Sequence, residues 1–211
     1  MDAPQDEIFE LFPTPLMFCR QVLSPAECHQ LIEHQQASAT QVNHHSKDLT
    51  HTQIFFPDDD AFFAEVTSRI NAKLMGMGRL LFGEPLNWSI KEMWMNFMKP
   101  GGGQAMHNHS NSFISGILYL SPTDPASRTV FFRGFGDRGF VFTNTHKDAE
   151  TGPFNAEKWI SPEPDAGDMV LFPSYLLHAV PLNQGDLRVS MAFNAIPERL
   201  QAWGYGISFA K

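Results

Sequence analysis

Two histidines one residue apart, a third in an apolar run and an arginine ten residues beyond it carry the most chemically suggestive spacing in this 211-residue chain. His107 and His109 close an extended stretch, and strand alternation sends both rings to one face. Two imidazoles so placed can share one metal ion without help from a flexible loop. An H-x-H pair is also common on polar surface strands, so it gains weight only from a third donor. His178 is the candidate. It lies in Leu171-Phe-Pro-Ser-Tyr-Leu-Leu-His-Ala-Val-Pro, where burying a ring without partners would cost about 1–3 kcal/mol. A backbone carbonyl or a metal shared with a facing strand would satisfy it.

Arg188 follows in Leu187-Arg-Val-Ser-Met-Ala-Phe-Asn. Alternation places Arg188, Ser190, Ala192 and Asn194 on one face, with Leu187, Val189, Met191 and Phe193 on the other. An arginine among apolar neighbours is costly unless it meets an anion, and its planar fork suits a carboxylate. Ser190 could add a hydroxyl to the same anion. A structural salt bridge is the alternative. Of the remaining histidines, His29, His34, His44, His45 and His51 lie in the N-terminal region, and His44-His45 beside Ser46 and Lys47 read as solvated surface.

The elements that must position these residues change character near Pro85. Ser24-Pro25-Ala26-Glu27 is a capping box, opening a helix to about Gln36. From Asp59 to about Phe82, Phe63, Val66, Ile70, Leu74, Met77 and Leu81 form one helical stripe, ended by Gly83 and Pro85. Beyond it come short strand patterns: Trp88–Met98, Gln104–His109, Phe113–Leu120, Thr129–Arg133, Phe140–Thr143, Asp168–Phe172, Leu176–Val180 and Leu187–Ala195. Turn signals such as Lys99-Pro-Gly-Gly-Gly and Asn183-Gln-Gly-Asp separate them. The expected fold is mainly β with N-terminal helices: a jelly-roll barrel buttressed by α-helices. We expect one domain, with helical support over 1–87, a barrel over 88–195 and a C-terminal extension over 196–211. The stretch 134–158 is long for a connection, and Arg138, Asn144 and His146 make it a candidate substrate loop.

Composition narrows the function classes. Apolar residues make up 43% and charged residues 18%, enough to bury a sizeable core. A net charge of −8 disfavours a broad nucleic-acid surface. No apolar run nears the roughly 20 residues of a membrane span, and the acidic N-terminus lacks a signal peptide's basic start. A cytoplasmic location is expected. Cys19 and Cys28 cannot make a disulfide scaffold. The 19 Phe against 4 Trp and 3 Tyr are best explained as barrel core. The oligomeric state is left open, a homodimer included.

Taken together, Pro100-Gly101, His107-Asn-His109, His178 and Arg188 resemble the pattern H-x-D/E … H … R of the 2-oxoglutarate/Fe(II) oxygenases, whose fold is a cupin-like double-stranded β-helix. The turn before the first histidine is similar to that of the prolyl 4-hydroxylase branch. The phrases Phe113-Ile-Ser-Gly-Ile-Leu-Tyr-Leu and Leu171-Phe-Pro-Ser-Tyr-Leu-Leu-His-Ala-Val resemble a small oxygenase group without an assigned substrate. The resemblance implies Fe(II) held by His107 and His178, and 2-oxoglutarate held by Arg188 with help from Ser190. It implies hydroxylation of a C–H bond of a small molecule or peptide by O2, releasing succinate and CO2. His109 stands where the family has Asp or Glu, making the expected metal set His107, His109 and His178. One alternative makes His109 the first ligand with Asn111 in the acid position; another leaves position 109 to a water or anion. Asn96, Phe97 and Met98 occupy the place of the prolyl hydroxylases' co-substrate tyrosine, which Tyr119 could replace. A three-histidine cupin-type dioxygenase without 2-oxoglutarate and a non-catalytic metal- or carboxylate-binding barrel are the other readings. Arg188 separates the first two readings, since 2-oxoglutarate requires it to point into the metal cavity.

Overall fold

Ser24 and Glu27 exchange the bonds the sequence predicts: Ser24 N–H donates to Glu27 Oε2 at 2.8 Å, and Glu27 N–H to Ser24 Oγ at 3.3 Å. This box starts α1 (Pro25–Gln35), placing Cys28 and Leu31 in the core. Asp60 caps α2 (Ala61–Phe82), and Gly83 ends it in a left-handed conformation, φ 80°, that lets its N–H reach the Arg79 carbonyl. Phe63, Val66, Ile70, Leu74 and Met77 are buried along one stripe, with Leu81 packed at its end. The computed structural model describes residues 8, 10–42, 46–134, 144 and 146–209. The expected strand Phe140–Thr143, Arg138 and the pair His44-His45 lie outside them. Among the described residues, no helix is long and apolar enough to cross a membrane.

The strands are β1 (Met17–Cys19), β2 (Gln41–Val42), β3 (Ser46–His51), β4 (Trp88–His107), β5 (Ile114–Tyr119), β6 (Val130–Phe132), β7 (Lys158–Ile160), β8 (Met169–Pro173), β9 (His178–Val180), β10 (Arg188–Pro197), β11 (Arg199–Ala202) and β12 (Tyr205–Ser208). The main sheet runs β1-β8-β5-β10-β4-β9-β6-β7, with β3 also on β4 and β2 on β3. Its paired strands are antiparallel and the sheet curls into a jelly roll, the fold class expected from the sequence. Three strands come from the N-terminal region, so that region supports the barrel with strands as well as helices.

Two stretches separated by a turn signal in the sequence are one strand, β4, twenty residues long. Its first half pairs with β10, while Gln104 and His107 pair with β9. The Lys99–Gly103 segment continues because its backbone is satisfied: Gly101 N–H donates to the Asn183 carbonyl and Asn183 N–H to that of Gly102, both at 2.7 Å. Gly101 takes φ 79°, and a side chain at Gly102 would meet the Asp48 carbonyl oxygen at 2.7 Å. One strand thus connects the helix-backed sheet to the barrel mouth.

Alternation divides the core in two. Met93, Met95, Phe97, Val189, Met191 and Phe193 join the α2 stripe in the helix–sheet layer, whereas Ile117, Tyr119, Phe131, Val170 and Phe172 form a second cluster. The phenylalanines therefore serve the helix–sheet contact as much as the barrel interior. Gly116 is needed where the buried Phe193 ring crosses β5, because a Cβ there would overlap the ring. Gly116→Ala is expected to lower stability by about 1–3 kcal/mol through overpacking. A urea unfolding midpoint equal to wild type would contradict this packing.

Candidate metal and carboxylate site

β4 and β9 meet with His107 opposite His178 in antiparallel register. His109 lies two residues past the end of β4, its N–H donating to the Ser174 carbonyl at 3.0 Å. The potential ligand nitrogens of the three rings all lie within 4.8 Å of one another. The expected trio is thus brought together, though His109 sits in the loop after the strand. Asn111, the alternative acid position, is exposed with φ 54°, a left-handed turn conformation.

Each ring is held through Nδ1. The partners are the Ala105 carbonyl for His107 at 2.9 Å, the Leu176 carbonyl for His178 at 3.0 Å, and Asn194 Oδ1 for His109 at 2.6 Å. Such oxygens only accept, so every Nδ1 carries the proton and the lone pair is left on Nε2. Gln104 Nε2 approaches that free nitrogen of His107 at 3.4 Å. Three neutral imidazoles with oriented outer partners fit a divalent transition metal.

Burial keeps them neutral. It pushes the His178 pKa down to about 3, with the nearby His107 reinforcing the shift. Burial also lowers His107 and His109; at His109 the Asn194 bond and Glu92 oppose the shift. Between about pH 3 and the ordinary value of 6.5, unfolding the metal-free protein lets His178 take up a proton, so stability rises with pH across this window. Metal-free wild type is therefore expected to lose thermal stability from about pH 7 to about pH 5, and His178→Gln to show a shallower loss. Identical slopes would mean that His178 does not titrate on unfolding.

The second part of the site lies further along the same face of β10. Arg188 is 2% exposed, and among the described residues its Nε and Nη2 have no hydrogen-bond partner. Its Nη1 donates to Ser190 Oγ at 3.3 Å, and its guanidinium carbon lies 5.4 Å from the Tyr119 ring centre. Desolvation lowers its pKa, with Tyr119 opposing. Tyr119 is opposite Ser190 in the strand register, but its hydroxyl pairs with Thr129 Oγ1 at 3.1 Å. Asn96, opposite Ser190 on the other side, is buried, and its Oδ1 has no partner among the described residues. A buried guanidinium with two free donor groups beside a polar row is suited to meeting a carboxylate.

A cleft of about 370 Å³ opens at His107 and His109, with His51, Ile54, Glu92, Trp94, Gln104, Ser110 and Asn194 also lining it. Phe131 and Phe172 pack against His178, at ring separations of 6.0 and 4.8 Å. Asn144 and His146, the two candidate contacts of that loop among the described residues, are exposed. Sequence reading missed Glu92, Trp94 and His51 as cleft residues. The available signal was Glu92, Trp94 and Asn96 alternating with Met93, Met95 and Phe97.

Fold and site together define an antiparallel jelly roll with an imidazole cluster and a buried arginine on one inner face. Residues 92–194, just under half the chain, match the family described as "Putative 2OG-Fe(II) oxygenase" and include every residue of the site except His51 and Ile54. Over that segment the chain is similar to the 2-oxoglutarate/Fe(II) oxygenases. Similar solved structures include a prolyl 4-hydroxylase from Pseudomonas putida, with TM-score 0.61, 15% identity and coverage of 87% of this chain and 93% of that one. HygX from Streptomyces hygroscopicus, with nickel and 2-oxoglutarate bound, gives TM-score 0.59, 14% identity and coverage of 87% and 83%. The viral collagen prolyl hydroxylase of Paramecium Bursaria Chlorella virus-1, in its 2-oxoglutarate complex, gives 0.55, 12%, 85% and 94%. At these identities the likeness concerns fold. No curated protein matches the chain.

Proposed function

We propose that the chain is an Fe(II)- and 2-oxoglutarate-dependent oxygenase that hydroxylates a C–H bond of a small molecule or peptide. The balance is substrate, O2 and 2-oxoglutarate to hydroxylated product, succinate and CO2. The observation that carries this reading is the pairing, on one barrel face, of three converging imidazoles with a buried guanidinium whose Nε and Nη2 lack partners among the described residues.

Here His107, His109 and His178 hold the metal through Nε2. Arg188 and Ser190 bind the far carboxylate of 2-oxoglutarate, the Tyr119 ring flanks the guanidinium, and Asn96 adds a polar contact. When bound, iron and 2-oxoglutarate supply the oxidising chemistry and the protein supplies orientation and exclusion of water. Phe131 and Phe172 exclude water behind His178, so the open cleft beside Trp94 is the substrate's approach. Arg188 favours this reading over a three-histidine dioxygenase without 2-oxoglutarate, which has no use for a buried cation.

The test is succinate formation by protein loaded anaerobically with Fe(II), then given 2-oxoglutarate and air without other substrate. Slow, iron-dependent succinate release above a protein-free iron control is expected. Its absence, with 2-oxoglutarate shown to bind, would sink the proposal.

A further inference from the structure

Glu92 of β4 stands opposite Asn194 of β10, and Asn194 stands opposite Ser115 of β5. Asn194 Nδ2 donates to Glu92 Oε1 at 2.7 Å. A carboxylate only accepts, so this bond decides which end of the amide faces it. Asn194 Oδ1 is thereby turned inward, accepting from His109 Nδ1 at 2.6 Å and from Ser115 Oγ at 2.7 Å. Ser115 is in turn linked to Ser174 at 2.9 Å, and Ser174 donates to Ser112 at 2.9 Å. Imidazole donates to amide and amide donates to carboxylate, a chain of donors aimed at Glu92. Reversing the amide would set its oxygen against the carboxylate and its N–H groups against the His109 proton.

We infer that Glu92, acting through Asn194, is a positioning residue that fixes the His109 tautomer and lends the metal site part of the negative charge a ligating carboxylate would bring. The inference rests on His109 being a metal ligand. Metal-bound histidines commonly donate their other nitrogen to a carboxylate or carbonyl, and loss of such a partner costs about 10–100-fold in metal affinity. Here an amide is interposed, so the charge acts one residue further out. Lys91 Nζ lies 3.1 Å from the same Glu92 oxygen, with both side chains about one-quarter exposed, so it offsets part of the charge that Glu92 lends.

The experiment is a calorimetric titration with Co(II) in the absence of 2-oxoglutarate, read in parallel by the cobalt d–d absorption. Glu92→Gln keeps the size and an accepting oxygen for Asn194 but removes the charge. It is expected to weaken Co(II) binding about tenfold or more, while the metal-free melting temperature stays near wild type. The double variant Glu92→Gln with Asn194→Asp moves the carboxylate directly onto His109 Nδ1–H, with the new amide donating to it. Recovery to wild-type affinity or better is expected. A purely structural hydrogen bond predicts unchanged affinity in the single variant, and that result overturns the inference, as does a weakened single variant that the double does not restore. If His109→Ala binds Co(II) as tightly as wild type, the three-histidine site falls, and the inference with it. That failure is distinguishable because it does not involve Glu92.

Discussion

Replacing Arg188 by Met is expected to stabilise the protein without ligands and, in the same variant, to remove most of its affinity for 2-oxoglutarate. Arg188 is 2% exposed, and two of its guanidinium nitrogens lack partners among the described residues. Each unsatisfied buried donor costs about 1–3 kcal/mol, and an unpaired buried charge costs several more. Methionine is unbranched and apolar, and can pack beside Met98 and the Tyr119 ring, which border Arg188. An increase of about 1–3 kcal/mol in unfolding free energy is therefore expected, read from urea titrations without ligand. Losing one member of a buried charge pair costs about 2–5 kcal/mol in binding, so 2-oxoglutarate affinity should fall from about thirtyfold to several thousandfold. Calorimetry with 2-oxoglutarate on metal-loaded protein measures the fall. A variant less stable than wild type that keeps its affinity would make Arg188 structural and remove the anion site.

The opposite signs expected of one substitution show what the sequence could and could not reveal. Alternation around Arg188 was legible because β10 is one uninterrupted strand, so Ser190 and Asn194 share its face. The α2 stripe was legible because its spacing is purely local, capped at Asp60 and Gly83. The strand Ser46–His51 was not: its polar residues pair along the outer part of β4, and only that partner makes them a strand. The continuity of β4 through Lys99–Gly103 depends on main-chain bonds to Asn183, more than eighty residues away. Glu92 illustrates the limit for the site itself. Its role depends on a register with Asn194 that no local spacing encodes.

Charge links the two halves of the site. Three neutral imidazoles leave a divalent metal uncompensated, and Arg188 adds another positive charge. A dicarboxylate bound between them would fall one negative charge short of neutrality, and Glu92, bonded to Asn194 and paired with Lys91, is the nearby carboxylate that could supply part of it. In a low-dielectric barrel such imbalances matter more than in water. On the inference above, the absence of an acid at position 109 is partly offset from β4 itself, through Asn194 on the inner face that carries Arg188.

Changing His178 to Ala is expected to abolish both metal binding and succinate formation, because this ring faces His107 across β4 and β9 and completes the cluster. Two histidines from one short segment remain, with no third imidazole opposite. The loss should exceed the roughly 10–100-fold cost of removing an outer partner, so saturation with Co(II) at accessible concentrations is not expected. A complementary reading comes from stability. A ligand present at a hundred times its dissociation constant adds about 2.7 kcal/mol to a folded protein. Wild type should melt at a higher temperature with Co(II), whereas His178→Ala should melt at the same temperature with and without it. The metal-free variant also loses the bond to the Leu176 carbonyl and the contacts with Phe131 and Phe172, so its own melting point falls. The comparison within the variant, with and without metal, is therefore the one that reports on coordination. A metal-induced shift equal to that of wild type would place the metal elsewhere.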